Sequence, residues 1–390
     1  MKKRGERLLF YSSYAFLPQL YSVFEELCPR HGLQGHVIAH ERAEVPRVYS
    51  PSGYLTHESA GLTTLPAFAT VIPKGLAVEE KSTLLKRKIQ EIKPDFIWAH
   101  EEPNDFFVNQ ILTWFRNDRQ PRIIVYLAEN IWPDGGGSYR ERWAKFRLRR
   151  RWTRYDGVLA CATKSAEAIR NYGMPASVPI SIAWAPNLPR KRQSENADSF
   201  PLPKKQPGDF FVGFAGRITG AKGWRVLLAA LTQLPENFKC LIAGGGEEET
   251  ELRRGCETSG LRSRVHCLGV LDTSGMSSFY SALDVFVLPS LTTARWTEQF
   301  GFVLAESMAC GVPVIGSNSG AIPEVIGDCG IIVPENDSKE LAVAIQTMAN
   351  DENRRSRFIK CGRDRFEREF SIHAYAEKIA ALLGLGTMKT

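Results

Sequence analysis

The chain has 390 residues, of which 43% are apolar and 24% charged, and its formal net charge is +7. At about 150 residues per domain this length predicts two or three domains, and the composition excludes extensive disorder, collagen-like sequence and a coiled coil. No apolar run approaches the roughly 20 residues that a membrane span needs. The basic start at 2–7 is interpreted as leading into a buried first strand rather than as a secretion signal.

Short apolar runs bounded by turn residues alternate with helical patterns along both halves of the chain. They predict strands at 8–12, 35–39, 96–99, 123–127, 157–160 and 179–183, and then at 211–214, 238–243, 265–268, 285–288, 312–316 and 330–333. Nearly continuous apolar strands that alternate with helices are typical of parallel sheets covered on both faces. We therefore predict an α/β fold with two doubly wound, Rossmann-like domains.

The domain boundaries follow from a change in composition. Residues 187–209 are rich in Pro, Lys and Ser and lack periodicity, which predicts a linker between an N-terminal domain at 1–186 and a second domain at 210–370. The segment 371–390 carries a final helical pattern that could pack back on the first domain. Open α/β sheets bind ligands at the carboxyl ends of their strands, so two such domains facing each other predict a ligand in the cleft between them.

The eight cysteines include no C-x-x-C pair and no histidine at metal-binding spacing. Several lie in apolar runs, and a chain of this length does not depend on disulfides for its core. We expect them to be reduced core residues of a cytosolic protein.

The densest motif lies where the first strand of the second domain meets its first helix. Four glycines within 213–223 flank Arg217 and Lys222. Glycines allow close backbone approach, and the start of the next helix offers N–H groups to an anion, so the two cations suit a pyrophosphate. The spacing is neither the dinucleotide fingerprint nor a Walker loop. A plain strand-to-helix turn with solvated cations is the alternative.

A second motif pairs two carboxylates around a helix start. The pattern predicts a helix at 302–310, with Glu298 in the loop before it and Glu306 about 7 Å along it. The backbone N–H groups of 300–302 lie between them and could hold a phosphate. A nucleotide sugar has hydroxyl groups on both sides of its pyrophosphate and fits this order, whereas a solvated glutamate pair is the alternative.

Taken together, these motifs closely resemble the retaining family 4 (group 1) glycosyltransferases of the GT-B fold. The resemblance is carried by Ala-Gly-Arg and Lys-Gly within 215–223, by Ala-Gly-Gly-Gly-Glu at 243–247, by Glu298 and Glu306, and by the segments 308–315, 320–324 and 330–334. It is dense over about 200–336. In the first domain it is thinner and depends on 100–103, 156–160 and 186–187.

The resemblance implies roles for individual residues. The candidate donor-binding positions are Gly216, Arg217, Lys222, Gly244, Glu298, Phe300, Gly301, Phe302 and Glu306. By analogy the two cations would hold the donor diphosphate, Glu298 the sugar hydroxyls and Glu306 the ribose. Such catalysis is electrostatic and needs no metal or cofactor beyond the nucleotide-sugar donor. Consistently, the sequence contains no Asp-x-Asp, the pattern that metal-dependent GT-A enzymes use.

The first domain departs from the family pattern at one position. Many members of the family carry a histidine after the fifth strand of their first domain. At the corresponding place, after the predicted strand at 123–127, this chain has Glu129. Glu129 is interpreted as a replacement base or sugar contact, with a plain loop carboxylate as the alternative. His100, at a predicted strand end, is a candidate acceptor-side residue or the donor of a structural hydrogen bond. The candidate catalytic set is therefore Arg217, Lys222, Glu298, Glu129 and His100.

The net charge concentrates in one segment. Residues 1–190 carry 27 basic and 19 acidic side chains, and within 139–154 eight basic residues stand against one acid. Tyr139, Trp143 and Phe146 fall on one helical stripe of this segment. A basic segment interleaved with aromatics suits an anionic membrane surface, and nucleic acid is not expected. A helix that snorkels over the core with Trp143 or Trp152 buried is the alternative.

The sequence as a whole predicts a glycosyltransferase that is cytoplasmic and peripheral on the inner membrane face. It would transfer a hexose from a UDP- or GDP-sugar, with retention and without metal, to a polysaccharide, lipid-linked glycan or glycolipid. Two alternatives stay open: a nucleotide-sugar 2-epimerase, which needs no acceptor, and a non-catalytic GT-B partner subunit. The second is suggested by Glu129 in place of histidine.

Overall fold

The computed structural model describes residues 5–12, 18–40, 69–73, 75–101, 103, 105–115, 120–127, 146, 149–183, 202–294 and 296–386. They form two compact units. Unit 1 holds the described residues of 1–45, 52–185 and 371–390, and unit 2 holds those of 186–370. The predicted linker at 187–209 is described only from residue 202, where the chain is irregular.

Unit 1 is built on a parallel sheet with helices between its strands. Its strands are β1 Arg7–Ser12, β2 Gln34–His40, β3 Ala69–Ile72, β4 Phe96–Ala99, β5 Arg122–Leu127, β6 Gly157–Ala160 and β7 Ile180–Ile182, and its first helices are α1 Pro18–Arg30, α2 Val78–Ile92, α3 Phe106–Trp114 and α4 Thr163–Asn171. The strand order is β3-β2-β1-β4-β5-β6-β7. The central strands β4 and β6 are buried along their whole length, as a sheet covered on both faces requires.

Unit 2 repeats the same plan. Its strands are β8 Phe210–Ala215, β9 Phe238–Ala243, β10 Val265–Gly269, β11 Val285–Leu288, β12 Val314–Ser317 and β13 Gly330–Val333, in the order β10-β9-β8-β11-β12-β13. Its helices are α5 Trp224–Leu231, α6 Glu249–Thr258, α7 Thr273–Ala282, α8 Phe302–Ala309, α9 Ile322–Ile326, α10 Ser338–Asn350 and α11 Glu352–Arg365, after which a π-helical turn covers Phe366–Phe370.

The strand order of each sheet reverses at its middle. Chain order runs outward from β1 in one direction and from β4 in the other, and β8 and β11 divide unit 2 in the same way. Ligands of doubly wound sheets bind at the carboxyl ends of the strands beside such a switch point. The predicted α/β fold with two doubly wound parallel sheets is confirmed.

The last helix, α12 Ile372–Leu383, packs on α1 and on β5, β6 and β7 of unit 1. The Tyr375 ring lies 6.0 Å from that of Trp98. Arg122 donates to the carbonyls of Leu382 and Leu383, at 3.2 and 2.6 Å, and so satisfies the open carboxyl end of the helix.

The expectation of reduced core cysteines is wrong for three of the eight. Cys329 and Cys361 form a disulfide, because packing of α11 beside the start of β13 brings their Cα atoms to 5.1 Å across 32 residues of sequence. Cys310 is exposed rather than part of the core. Over the described ranges, no helix combines the length and the apolar character of a bilayer span.

Candidate active site

Two glycine loops meet at the carboxyl ends of β8 and β9. Gly216 and Gly244 adopt φ of +147° and +130°, and a Cβ added to Gly244 would lie 1.9 Å from the Gly216 carbonyl oxygen. A Cβ added to Gly246 would lie 2.5 Å from the Ile218 carbonyl oxygen. Backbone packs directly on backbone here, and this contact requires glycines where the sequence has them.

The same loop brings Lys222 to the end of a third strand. Lys222 ends a 3₁₀ turn, and the next residue, Gly223, has φ of +72°; a Cβ added to it would lie 1.8 Å from the Pro289 carbonyl oxygen. The Leu291 N–H donates to the Ala221 carbonyl at 2.7 Å. The loop is thereby seated on the segment that follows β11.

Glu298 receives the lysine that this loop presents. Its side chain is buried, and Oε2 lies 2.7 Å from both Lys222 Nζ and the Ser290 hydroxyl that donates to it. Its backbone is also fixed, since the Ala321 N–H donates to its carbonyl at 2.9 Å and a Cβ added to Gly320 would lie 2.0 Å from that oxygen. A buried carboxylate is tolerated because a cation and a hydroxyl satisfy it.

A pocket of about 320 Å³ opens beside this ion pair. It is lined by Arg217, 219–222, Glu247, Glu248 and Trp296. Arg217 is exposed, and Lys222 Nζ lies 4.8 Å from the centre of the Trp296 ring. The two predicted cations therefore share one pocket, and the predicted Glu298 contacts one of them.

Glu306 is held from a different element. It lies in α8, is buried, and accepts a hydrogen bond of 2.8 Å from the hydroxyl of Tyr280 in α7. Burial raises the pKa of Tyr280 well above its ordinary value, and the charge of Glu306 raises it further, so the phenol stays protonated as the donor.

The start of α8 is formed by an aromatic pair around a glycine. Gly301 caps the helix with φ of +88°. Phe300 is buried, and its ring lies 5.5 Å from that of Phe302 and 5.4 Å from that of Phe370. Its side chain therefore serves the core of unit 2, and only the backbone of 300–302 is available for the predicted phosphate contact.

His100 follows β4 at the carboxyl edge of the unit 1 sheet. Its ring stacks on Tyr126 at 4.2 Å. Its Nδ1 is buried and has no hydrogen-bond partner among the residues that the structure describes, and burial lowers the pKa of His100 to about 3. Beside it, the Ser12 hydroxyl donates at 3.2 Å to the buried Glu101. The structure thus places a neutral histidine in a polar cluster between the ends of β1, β4 and β5.

Two predictions fall wholly or partly outside the described residues. Glu129 does so entirely, and of the basic segment 139–154 only 146 and 149–154 are described. Trp152 is fully buried, whereas Phe146 is exposed with the Arg150 guanidinium 4.6 Å above its ring. One aromatic of this segment therefore belongs to the core and another to the surface.

Three residues of the site were missed by sequence reasoning: Ser290, Trp296 and Tyr280. In the folded chain, Ser290 contacts Glu298, Trp296 contacts Lys222 and Tyr280 contacts Glu306. The available signal was weak, namely that Ser290 directly follows the end of a predicted strand, where the ligands of parallel sheets bind.

Fold and site together define an α/β protein of the GT-B fold class with a cation-lined pocket in its second unit. Residues 196–365 match the family model of the group 1 glycosyl transferases.

Curated glycosyltransferases are also similar to the chain. The chain is 29% identical over 252 residues to a D-inositol 3-phosphate glycosyltransferase of Xylanimonas cellulosilytica, covering 60% of this chain and 57% of the relative. It is 35% identical over 152 residues to a phosphatidyl-myo-inositol mannosyltransferase of Mycobacterium leprae, covering 38% and 39%. It is 28% identical over 255 residues to the lipopolysaccharide core biosynthesis mannosyltransferase LpsB of Rhizobium meliloti, covering 62% and 67%. The matched region thus spans about 57% and 39% of the length of the first two relatives.

Solved structures share the fold. HepE of Anabaena, solved in complex with UDP, aligns with a TM-score of 0.71 at 18% identity over 97% of this chain and 99% of that one. A sucrose-phosphate synthase from Thermosynechococcus elongatus aligns with a TM-score of 0.62 at 20% identity over 97% and 98%.

Proposed function

We propose that this protein is a retaining glycosyltransferase that moves a hexose from a nucleoside-diphosphate sugar to a hydroxyl of a polysaccharide, lipid-linked glycan or glycolipid. The observation that carries the proposal is the buried cluster of Lys222, Glu298 and Ser290 beside Arg217 at the carboxyl edge of the unit 2 sheet. It brings together two cations, suited to a diphosphate, and a carboxylate suited to sugar hydroxyls.

In this proposal the cations bind phosphate oxygens and the carboxylates bind hydroxyl groups. Arg217 and Lys222 bind the diphosphate, which gains negative charge as its oxygen leaves the anomeric carbon with the bonding electrons. Glu298 accepts from the sugar hydroxyls, and Glu306, oriented by Tyr280, accepts from the ribose. The acceptor oxygen bonds to the anomeric carbon on the face that the phosphate leaves, and its proton passes to the departing phosphate oxygen. Retention of configuration at the anomeric carbon is inferred from the resemblance to the retaining family 4 glycosyltransferases.

The acceptor class is inferred from the relatives. Those named above include a mannosyltransferase of the lipopolysaccharide core and one that acts on phosphatidyl-myo-inositol. We extend the common element, a glycan or glycolipid hydroxyl, to this chain, with UDP- and GDP-sugars as the donors to test.

The direct test removes the cation that the fold positions. Purified protein is first screened for thermal stabilisation by UDP- and GDP-sugars, because a ligand bound only to the native state raises apparent stability. Lys222→Ala should then lower transfer by at least about a hundredfold, as loss of a preorganised electrostatic contact does. The matched control Lys360→Ala, on the exposed face of α11, should be fully active. Normal turnover by Lys222→Ala would refute the site assignment.

The same assay separates the alternatives. Release of free nucleotide without any acceptor would indicate the epimerase, and tight nucleotide binding without turnover across a broad acceptor panel would indicate a partner subunit. We also propose that no metal is needed, since Arg217 and Lys222 occupy the place of a bridging cation. Activity should survive excess EDTA, and a strict requirement for Mn²⁺ or Mg²⁺ would contradict this.

We further propose that the protein is cytoplasmic and binds the anionic inner membrane face through 139–154. The exposed Phe146 and Arg150 support this, because an aromatic beside a cation suits the lipid interface. Flotation with anionic liposomes should weaken when both become Ser. Trp152 and Arg151 are left unchanged, since Trp152 is buried and Arg151 donates to Asn109. Unchanged flotation would exclude this surface.

A further inference from the structure

Lys222 has a second partner besides its carboxylate. Its Nζ lies 2.7 Å from Glu298 Oε2 and 4.8 Å from the centre of the Trp296 ring. A cation within about 6 Å of an aromatic ring centre is attracted by the ring quadrupole. The Lys222 side chain is only 16% exposed, and partial removal from water strengthens that attraction.

Hydrogen bonds hold the backbone of the residue that carries the ring. Thr293 and Trp296 close a tight turn, in which the Thr293 N–H donates to the Trp296 carbonyl at 2.8 Å and the Trp296 N–H donates to the Thr293 hydroxyl at 2.9 Å. The neighbouring Thr292 donates through its hydroxyl at 2.7 Å to Glu335, just after β13. The segment that bears the ring is therefore anchored to the end of β13.

The two partners of Lys222 behave differently when a donor enters. Glu298 is a hydrogen-bond acceptor, and in the proposed function it turns to the sugar hydroxyls. The ring accepts the ammonium through its face and leaves the N–H donors of Lys222 able to bind phosphate oxygens. An ammonium on a flexible four-carbon stem needs such a constraint to stay in one place.

We propose that Trp296 is a positioning residue, which holds the Lys222 ammonium over the diphosphate site when Glu298 exchanges its ion pair for the donor sugar. The inference rests on the proposed function and names a residue of that same site. Trp296 lies in the segment between Ser290 and Glu298. Its ring would act on catalysis through Lys222, without contacting the reacting atoms.

The test uses a matched pair of substitutions in the full chain. Trp296→Phe keeps an aromatic face, whereas Trp296→Leu keeps apolar bulk without one. We expect kcat/KM of Trp296→Phe within about twofold of wild type and that of Trp296→Leu lowered about five- to tenfold, mainly in kcat. The Kd for UDP or GDP, whichever the wild type binds, should rise by a similar factor in Trp296→Leu alone, as measured by calorimetry.

A double substitution separates positioning from shape. In a Lys222→Met background, Trp296→Leu should leave the nucleotide Kd unchanged, because the contact it removes is already absent. Equal values for the Phe and Leu variants in an active enzyme would overturn the positioning role and leave the proposed function standing. A further weakening of nucleotide binding by Trp296→Leu in the Lys222→Met background would also overturn the positioning role. A folded wild-type chain that binds neither UDP nor GDP would overturn both.

Discussion

At the scale of single residues, both predicted carboxylates accept a hydrogen bond from a neutral hydroxyl group. Glu298 accepts from the hydroxyl of Ser290, eight residues earlier in the same loop, and Glu306 accepts from the hydroxyl of Tyr280 in α7. A neutral donor satisfies part of a buried carboxylate without cancelling its charge. Each glutamate is therefore held in place by a neutral hydroxyl donor.

His100 gives unit 1 a pH dependence. Burial lowers its pKa to about 3 in the folded chain, whereas an unfolded histidine titrates near 6.5. Between these values the unfolded state binds a proton that the native state does not, so stability falls as pH falls from about 6.5 towards 3. The free energy of unfolding of unit 1 should drop over this window by about 1 kcal/mol per pH unit. It is measured by urea unfolding, with hydrogen exchange in β4 and β5 as the signal of unit 1.

The slope identifies the residue responsible. His100→Asn removes the titrating group, so its stability curve should flatten below pH 6.5 whatever its value at pH 7.5. His373→Asn changes an exposed histidine of the same unit and should not flatten it. Parallel curves for wild type and His100→Asn would show that the buried neutral ring is not the cause.

Residue types predicted one half of the ion-pair site and not the other. Lys222 and Glu298 were identified because their two motifs, in combination with the segments around 243–247 and 308–315, resemble the group 1 glycosyltransferases. Ser290 and Trp296 were not, because serine at a strand end and tryptophan in a loop occur for many reasons. Their role depends on the approach of the 220–223 turn to the segment after β11, which no local pattern contains.

At the scale of elements, the two glycine loops act as one unit. Gly216 and Gly244 end adjacent strands with positive φ, and their backbones are in contact. Any side chain at Gly244 would push the β8 loop away from the sheet, and that loop carries Arg217 and Lys222. The position of both cations therefore depends on a backbone contact that they do not make themselves.

Gly244→Ala tests this dependence against a matched control. At Gly244 the added Cβ meets the Gly216 carbonyl oxygen at 1.9 Å, whereas Gly260 has φ of +68° with open space around it. Gly260→Ala should cost only the strain of a left-handed alanine, about 1 kcal/mol, with nucleotide binding unchanged. Gly244→Ala should cost more, about 2–3 kcal/mol, and weaken nucleotide binding at least tenfold. Equal effects on binding would contradict the loop contact.

Element prediction succeeded for apolar runs that turn residues bound, and it missed one strand of unit 1. β4, β6, β9, β11 and β13 have the predicted bounds, because each is an apolar run between turn residues. β3 has four residues, Ala69–Ile72, and was missed. The Cys329–Cys361 disulfide was missed for another reason: its partners are brought together by packing of α11, over a separation that leaves no motif.

At the scale of the whole molecule, the chain leaves unit 1 after β7 and returns to it in α12. The helix buries Tyr375, Ile379, Leu382 and Leu383 against that unit. A Cβ added to Gly157 would lie 2.8 Å from Leu382 Cδ2, so β6 and the helix are in direct contact. The stability of the first unit therefore depends on residues that follow the second unit in sequence.

Deleting 371–390 should unfold unit 1 and spare unit 2. Burial of the four large side chains contributes on the order of 8 kcal/mol, which is comparable to the whole stability of a domain. Hydrogen exchange should lose its protection in β1 and β5 and keep it in β8 and β11. Arg122→Met gives a graded control, since it removes the two hydrogen bonds to the carboxyl end of α12 together with the Arg122–Asp156 contact, and it should cost about 1–3 kcal/mol in unit 1 alone. Uniform loss of protection in both units, or none in β1 and β5, would contradict this division of stability.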